Sequence, residues 1–165
     1  RFLMESVDRI MTKGGNYLLN AGPMPDGSFP AEAEESVRKV GNWYKKVRES
    51  YLDAEFVYHK DIPYGMTRKE NCLYVHLPAV PQSSSVRMRP LPVKPVRASV
   101  LNTGEDVRAS VEYLPTFFGG NAAVQPEFLR ISGIPVNRLT DEVIVLRLEF
   151  APSDMDEVLR HLSEK

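Results

Sequence analysis

The sequence predicts an α+β chain in three parts: a helix–strand–helix segment of parallel α/β type, an antiparallel β region of sandwich or barrel type, and a short C-terminal helix. Three observations carry this. Apolar residues recur at helical spacing on both sides of the run Tyr17-Leu18-Leu19. From Asp53 onward, short alternating segments are separated by Pro-rich and Ser-rich joints. Met155, Val158, Leu159 and Leu162 form a last apolar stripe. The units expected are residues 1–53, 54–151 and 152–165.

Leu3, Val7, Ile10 and Met11 mark one face of a first helix, with Glu5, Asp8 and Arg9 on the other. Lys13-Gly14-Gly15 ends it, because glycine takes the left-handed conformation of a helix C-cap. Tyr17-Leu18-Leu19 is a continuous apolar run of strand length, as in a strand buried on both faces of a parallel sheet. Pro23, Pro25 and Asp26-Gly27 are turn chemistry, and Pro30 suits the first turn of a second helix. Glu32, Glu34 and Glu35 complement the N-terminal end of that helix, and Lys45, Lys46 and Arg48 its C-terminal end. Val37, Val40, Tyr44 and Val47 are its apolar face.

In the β region the strongest alternations are Cys72–Leu77 and Val143–Phe150. The first puts Leu73, Val75 and Leu77 inward and Cys72, Tyr74 and His76 outward; shorter strands are expected around 64–68, 86–88, 96–101, 107–113 and 128–131. Ser153 is the expected cap of the last helix.

The 165 residues are 42% hydrophobic and 26% charged, a globular composition, and the formal net charge of -1 supplies no global field for nucleic acid or an acidic membrane. Neither class of partner is expected. No apolar run approaches the roughly 18 residues of a membrane span. The single cysteine, Cys72, excludes an intramolecular disulfide. His59, His76 and His161 show no metal-ligand spacing and read as ordinary surface or strand histidines. A Cys72–His76 pair on one strand is a poor nucleophile arrangement, and no Gly-x-Ser-x-Gly elbow or phosphate-binding loop is present. Arg87, Arg89, Lys94 and Arg97 lie in a stretch without acids. They read either as a contact for an anionic partner or as a charged, guarded strand edge. Asn20 follows the apolar run and precedes the loop. It is the candidate for substrate contact, with loop-backbone bonding as the alternative.

The run from Ile10 to Pro30, Ile-Met-Thr-Lys-Gly-Gly-Asn-Tyr-Leu-Leu-Asn-Ala-Gly-Pro-Met-Pro-Asp-Gly-Ser-Phe-Pro, resembles the signature of the α-L-fucosidases among glycoside hydrolases. Val40-Gly41-Asn42-Trp43 is similar to a segment of the following helix in that family, and Met66–Val75 is similar to the hairpin opening its small C-terminal sandwich. Arg48-Glu49-Ser50-Tyr51 departs from the family pattern, and residues 91–125 match it weakly.

The resemblance implies the last strand and helix of a (β/α)8 barrel followed by an antiparallel β-sandwich, the tail of a longer enzyme. It implies a retaining hydrolase removing terminal α-L-fucose, acting through an aspartate nucleophile and a separate acid/base carboxylate. Both are expected ahead of Arg1, so no catalytic residue is assigned in this chain, which alone is expected to be inactive. A start at Arg1, already inside an amphipathic pattern, agrees with a segment cut from something longer. The implied partners are a fucosylated glycan and either the missing barrel portion or a second copy of the chain; no metal or organic cofactor is implied. The implied setting is lysosomal, secreted or periplasmic. The alternative is a non-catalytic sandwich that buttresses a barrel or binds carbohydrate, with Tyr74, Tyr113, Phe117 and Phe118 as candidate stacking residues.

Overall fold

The computed structural model describes residues 1–77, 83–89, 91–113 and 127–163. Helix α1 (Phe2–Met11) leads to an extended segment and then helix α2 (Ala31–Val47), which tightens into a 3₁₀ turn at Arg48–Ser50. Among the described residues eight strands follow: β1 (Glu55–Val57), β2 (Gly65–Lys69), β3 (Cys72–Leu77), β4 (Ser85–Met88), β5 (Arg97–Val100), β6 (Arg108–Tyr113), β7 (Glu127–Ser132) and β8 (Ile144–Glu149). Helix α3 (Met155–Ser163) ends the described chain.

The strands form two antiparallel sheets, one ordered β1-β2-β3-β8-β5 and the other β4-β7-β6. Alternation sends Leu73, Val75 and Leu77 of β3 and Ile144, Leu146 and Leu148 of β8 to the same side, and Val86, Met88, Leu129 and Ile131 of the small sheet join them in one apolar cluster. Met155, Val158 and Leu162 of α3 close that cluster. The opposite face of the large sheet is covered as well. Cys72, Tyr74, Val143 and Val145 form a second cluster with Met4 and Val7 of α1 and Trp43 and Val47 of α2. The indole Nε1 of Trp43 donates to the Val143 carbonyl at 2.9 Å, tying α2 to β8. At Gly65, an added Cβ would lie 3.0 Å from Thr12 Oγ1, so a side chain there would push the end of α1 off β2.

Several expectations are corrected. Tyr17-Leu18-Leu19 forms no strand, and every pairing among the described residues is antiparallel. A strand is held by its ladder partners; with none beside it, this run stays open, and Leu18 is 84% exposed. Val37 is likewise exposed, because α2 is buried only at Trp43 and Val47, near its C-terminal end. Cys72, Tyr74 and His76 are not outward: every residue of β3 is buried, since helices cover the face that alternation alone left open. Asp8 is buried among the helix's apolar residues rather than on its wet side. Ser153 does not cap α3; it lies inside a 3₁₀ turn, Pro152–Asp154, where its hydroxyl contacts Asp154. Strand β1 has no counterpart in the sequence reading.

Candidate functional site

Three places carry polar chemistry. The first lies where α1, the end of α2 and the large sheet meet. Met4 and Asp8 are four residues apart, hence on one helical face, and that face lies on β3. Asp8 Oδ1 is 2.7 Å from His76 Nδ1 and accepts a 2.7 Å hydrogen bond from the Tyr51 hydroxyl. His76 Nε2 is 3.2 Å from Thr67 Oγ1, which donates its proton to the Ser50 carbonyl at 2.5 Å. Thr67 therefore meets the imidazole as an acceptor, and so does the Asp8 carboxylate. Both ring nitrogens of His76 thus face oxygen partners inside the protein. Burial, then the negative charge of Asp8, pushes the Tyr51 phenol well above its ordinary range.

The order acid–imidazole–hydroxyl resembles that of a hydrolytic triad, but its chemistry is closed. Thr67 and His76 are buried, and the hydroxyl is spent on a backbone carbonyl. The constellation locks α1, the 3₁₀ turn, β2 and β3 together. Cys72 and His76 are not brought together: Cys72 Sγ accepts from Arg147 Nη2 at 3.5 Å, while both nitrogens of His76 are engaged elsewhere. His59 is buried and accepts from the Asp61 N–H, and His161 lies on α3 beside Glu157. Among the described residues no group of side chains is arranged to hold a metal ion. No helix among them is long and apolar enough to cross a membrane.

The second place is a cleft of about 530 Å³ between α1 and the β1–β2 connection. Phe2, Phe56, Tyr58 and Tyr64 supply its aromatic walls, and Glu5, Asp8, Arg9, Lys13 and Lys60 its ionisable side chains. Phe56 and Tyr58 stack with centroids 6.4 Å apart and planes 30° from parallel, and both are exposed. Exposed paired rings beside hydrogen-bonding side chains suit the apolar face and hydroxyl edge of a sugar. None of these residues was legible as a site in the sequence; the clustering of Phe56, Tyr58 and Tyr64 within nine positions was the available signal. Of the residues singled out for stacking, Tyr74 is buried, Tyr113 is 59% exposed on another sheet, and Phe117 and Phe118 lie outside the described residues.

The third place is the open segment between α1 and α2. Its tip is a tight turn: Gly27 donates to the Met24 carbonyl, Met24 to that of Ser28, and Asp26 accepts from the Ser28 N–H and hydroxyl. Gly27 has φ of +85°, a conformation that favours glycine. Asn20 is exposed and makes no hydrogen bond among the described residues; Asp26, not Asn20, organises the loop. Leu18, Leu19, Met24, Phe29 and Val37 leave an exposed apolar surface along this segment and the start of α2.

The alpha-L-fucosidase family model matches residues 2–49, which include this segment. No curated protein sequence matches the chain. Among solved structures, the Thermotoga maritima alpha-fucosidase bound to a mechanism-based inhibitor is 22% identical with a TM-score of 0.64, over 90% of this chain and 33% of that one. Alpha-L-fucosidase isoenzyme 1 from Paenibacillus thiaminolyticus gives 22% identity and a TM-score of 0.67, over 91% of this chain and 34% of that one. Alpha-L-fucosidase from Vibrio sp. strain EJY3 gives 21% and 0.64, over 90% of this chain and 25% of that one. The chain therefore spans about a third or less of the length of these structures, and at such identities the likeness is one of fold.

Proposed function

From the relationship of this chain to the alpha-L-fucosidases, carried by residues 2–49 and by the shared fold, we propose that it is the C-terminal portion of a retaining glycoside hydrolase that removes terminal α-L-fucose from glycans. On this reading, residues 1–53 are the last strand and helix of a (β/α)8 barrel, 54–151 an accessory β-sandwich, and 152–165 a terminal helix. The observation that supports it best is the state of Leu18 and Leu19. They are apolar, consecutive and exposed, and they lie within the matched segment. A run of this kind suits burial between two parallel strands, which the remainder of a longer protein would supply.

Retaining hydrolysis needs a nucleophilic carboxylate and an acid/base carboxyl about 5–5.5 Å apart. Both are assigned to the portion that precedes residue 1, and this chain alone is inactive. Asn20, exposed at the end of the run, is on this reading the chain's candidate for substrate contact. The test is hydrolysis of an aryl α-L-fucoside. The longer protein turns it over, the 165-residue chain does not, and adding the missing portion in trans protects Leu18 from solvent labelling. A longer protein without a catalytic aspartate, or without turnover, would overturn the reading.

The second reading is a non-catalytic carbohydrate-binding unit, and the cleft with stacked Phe56 and Tyr58 favours it. A glycan array probed with the chain, beside a Tyr58→Ala variant, distinguishes the two. Specific binding lost in the variant supports a binding unit, and an empty array removes it.

A further inference from the structure

The outer face of the small sheet is a feature that the fucosidase relationship leaves unused. Alternation along β4 and β7 sends Val86, Met88, Leu129 and Ile131 into the core, so Arg87, Arg130 and Phe128 stand on the opposite surface. The register sets Arg87 directly across from Arg130, Arg130 across from Ser110, and Phe128 across from Glu112. Arg89, one residue past β4, joins them. The guanidinium carbons of Arg87, Arg89 and Arg130 lie 5.8, 5.5 and 5.8 Å from the centroid of the Phe128 ring. Phe128 is buried beneath them, while Arg87 and Arg89 are exposed.

Covering a ring takes one guanidinium. Three crowd like charge around a single quadrupole, and like charges facing each other across a strand pair are destabilising. Glu112 offsets one of them, accepting from Arg130 Nε at 2.7 Å. Hydrogen bonds from Arg130 and then Ser110, with a smaller contribution from the charge of Arg87, hold the Glu112 carboxyl below its ordinary range. Arg87 and Arg89 have no ion pair among the described residues. The residues outside the description at 78–82, 90 and 114–126 contain no Asp or Glu.

The result is a β platform carrying two arginine forks with no ion pair among the described residues, and a third held in place by Glu112. A guanidinium fork matches the paired oxygens of a sulfate or carboxylate through parallel N–H donors. A membrane surface is disfavoured, because among the described residues the platform's aromatic ring, Phe128, is buried and no apolar side chain of the platform projects for insertion. Nucleic acid is disfavoured by the net charge of -1.

We propose that this face binds an acidic glycan, a saccharide chain bearing sulfate or carboxylate groups, with Arg87 and Arg89 taking the anionic groups and Arg130 fixing the platform between them. The choice of a glycan among anions rests on the glycosidase reading above; the anion site itself does not.

The test is fluorescence anisotropy with the 165-residue chain at low salt. The probes are a sulfated oligosaccharide, a uronate oligosaccharide and their neutral counterparts. One or both acidic probes bind, and the neutral ones do not. Replacing Arg87→Gln and Arg89→Gln together weakens binding by about tenfold or more, as expected for two lost charge-assisted contacts. Replacing Arg87→Lys and Arg89→Lys keeps the charge, loses the fork, and falls between. Removing the same charge from α2, with Arg38→Gln and Lys39→Gln, leaves affinity within about twofold. Near-UV circular dichroism checks that each variant is folded, and the lysine pair keeps the test open where the glutamine pair does not fold. Failure of both acidic probes overturns the proposal, as does undiminished binding in the glutamine pair or equal binding of a polyphosphate of matched charge. Absence of fucoside turnover in the longer protein overturns the glycosidase reading instead and leaves the anion-binding results standing.

Discussion

Two apolar stretches of this chain meet opposite fates. Val143-Ile144-Val145-Leu146 lies in and just before β8, an interior strand of the large sheet with β3 on one side and β5 on the other. All four of its residues are buried, Ile144 and Leu146 toward the small sheet, Val143 and Val145 toward the helices. Tyr17-Leu18-Leu19 has a similar texture, no neighbour and no strand. Apolar character is common to both; what separates them is whether flanking backbone completes the ladder and whether a layer covers each face. A buried leucine is worth about 1.5–3 kcal/mol relative to an exposed one, so Leu18 forgoes in this chain what Leu146 secures.

Substitutions sharpen that contrast, beginning with the lock that holds the helical layer on the sheet. Replacing Asp8 with Ala leaves two buried groups, the His76 Nδ1 and the Tyr51 hydroxyl, without their partner and should lower unfolding stability by about 2–6 kcal/mol in urea titration, about 1–3 for each. A full-strength transition in that variant would remove the lock from the account. Next, Leu146→Ala, at a site with no exposure, should cost about 2–5 kcal/mol by the same titration.

Alkaline pH supplies a third measure. Tyr51 is raised by burial and then by Asp8, and Tyr74 by burial and then by Glu49. A folded-state pKa above the unfolded value of about 10 contributes stability that is complete below that pH and is lost as pH rises through it. Phenolate absorbance and circular dichroism followed upward from pH 9 should show these two tyrosines ionising only as the chain unfolds. Tyr51→Phe should move that midpoint upward. Smallest of all is Leu18→Ser, expected within about 0.5 kcal/mol in this chain. A larger loss in the longer protein, against none here, is the difference the proposed barrel requires.

The strands were largely legible because each combines alternation with punctuation; β2 through β8 lie where the sequence places them within a residue or two. Strand β1 was not, since Glu55-Phe56-Val57 is three residues long and half polar, too short for any period to show. The helix side of the large sheet was misread from β3 alone, where Cys72, Tyr74 and His76 look like a wet face. The correcting signal lay in β8, whose unbroken run Val143–Leu146 is apolar on both faces. Asp8 was illegible in principle. A carboxylate in an apolar helical stripe is explained only by His76 and Tyr51, which are 68 and 43 positions away. Of the candidate places, the signature loop was visible as a motif, while the aromatic cleft and the arginine platform each join segments that only the fold brings together.

The interior position of β8 bears on how the chain comes together in time. Its partner β3 ends at Leu77, and the two pair from Cys72↔Glu149 to Leu77↔Ile144. This ladder thus cannot form until residues 78–143 have been made, and closures across such separations are slow. Until β8 arrives, the β2–β3 hairpin presents an apolar, unpaired edge, the kind of surface that chaperones hold and that aggregates recruit.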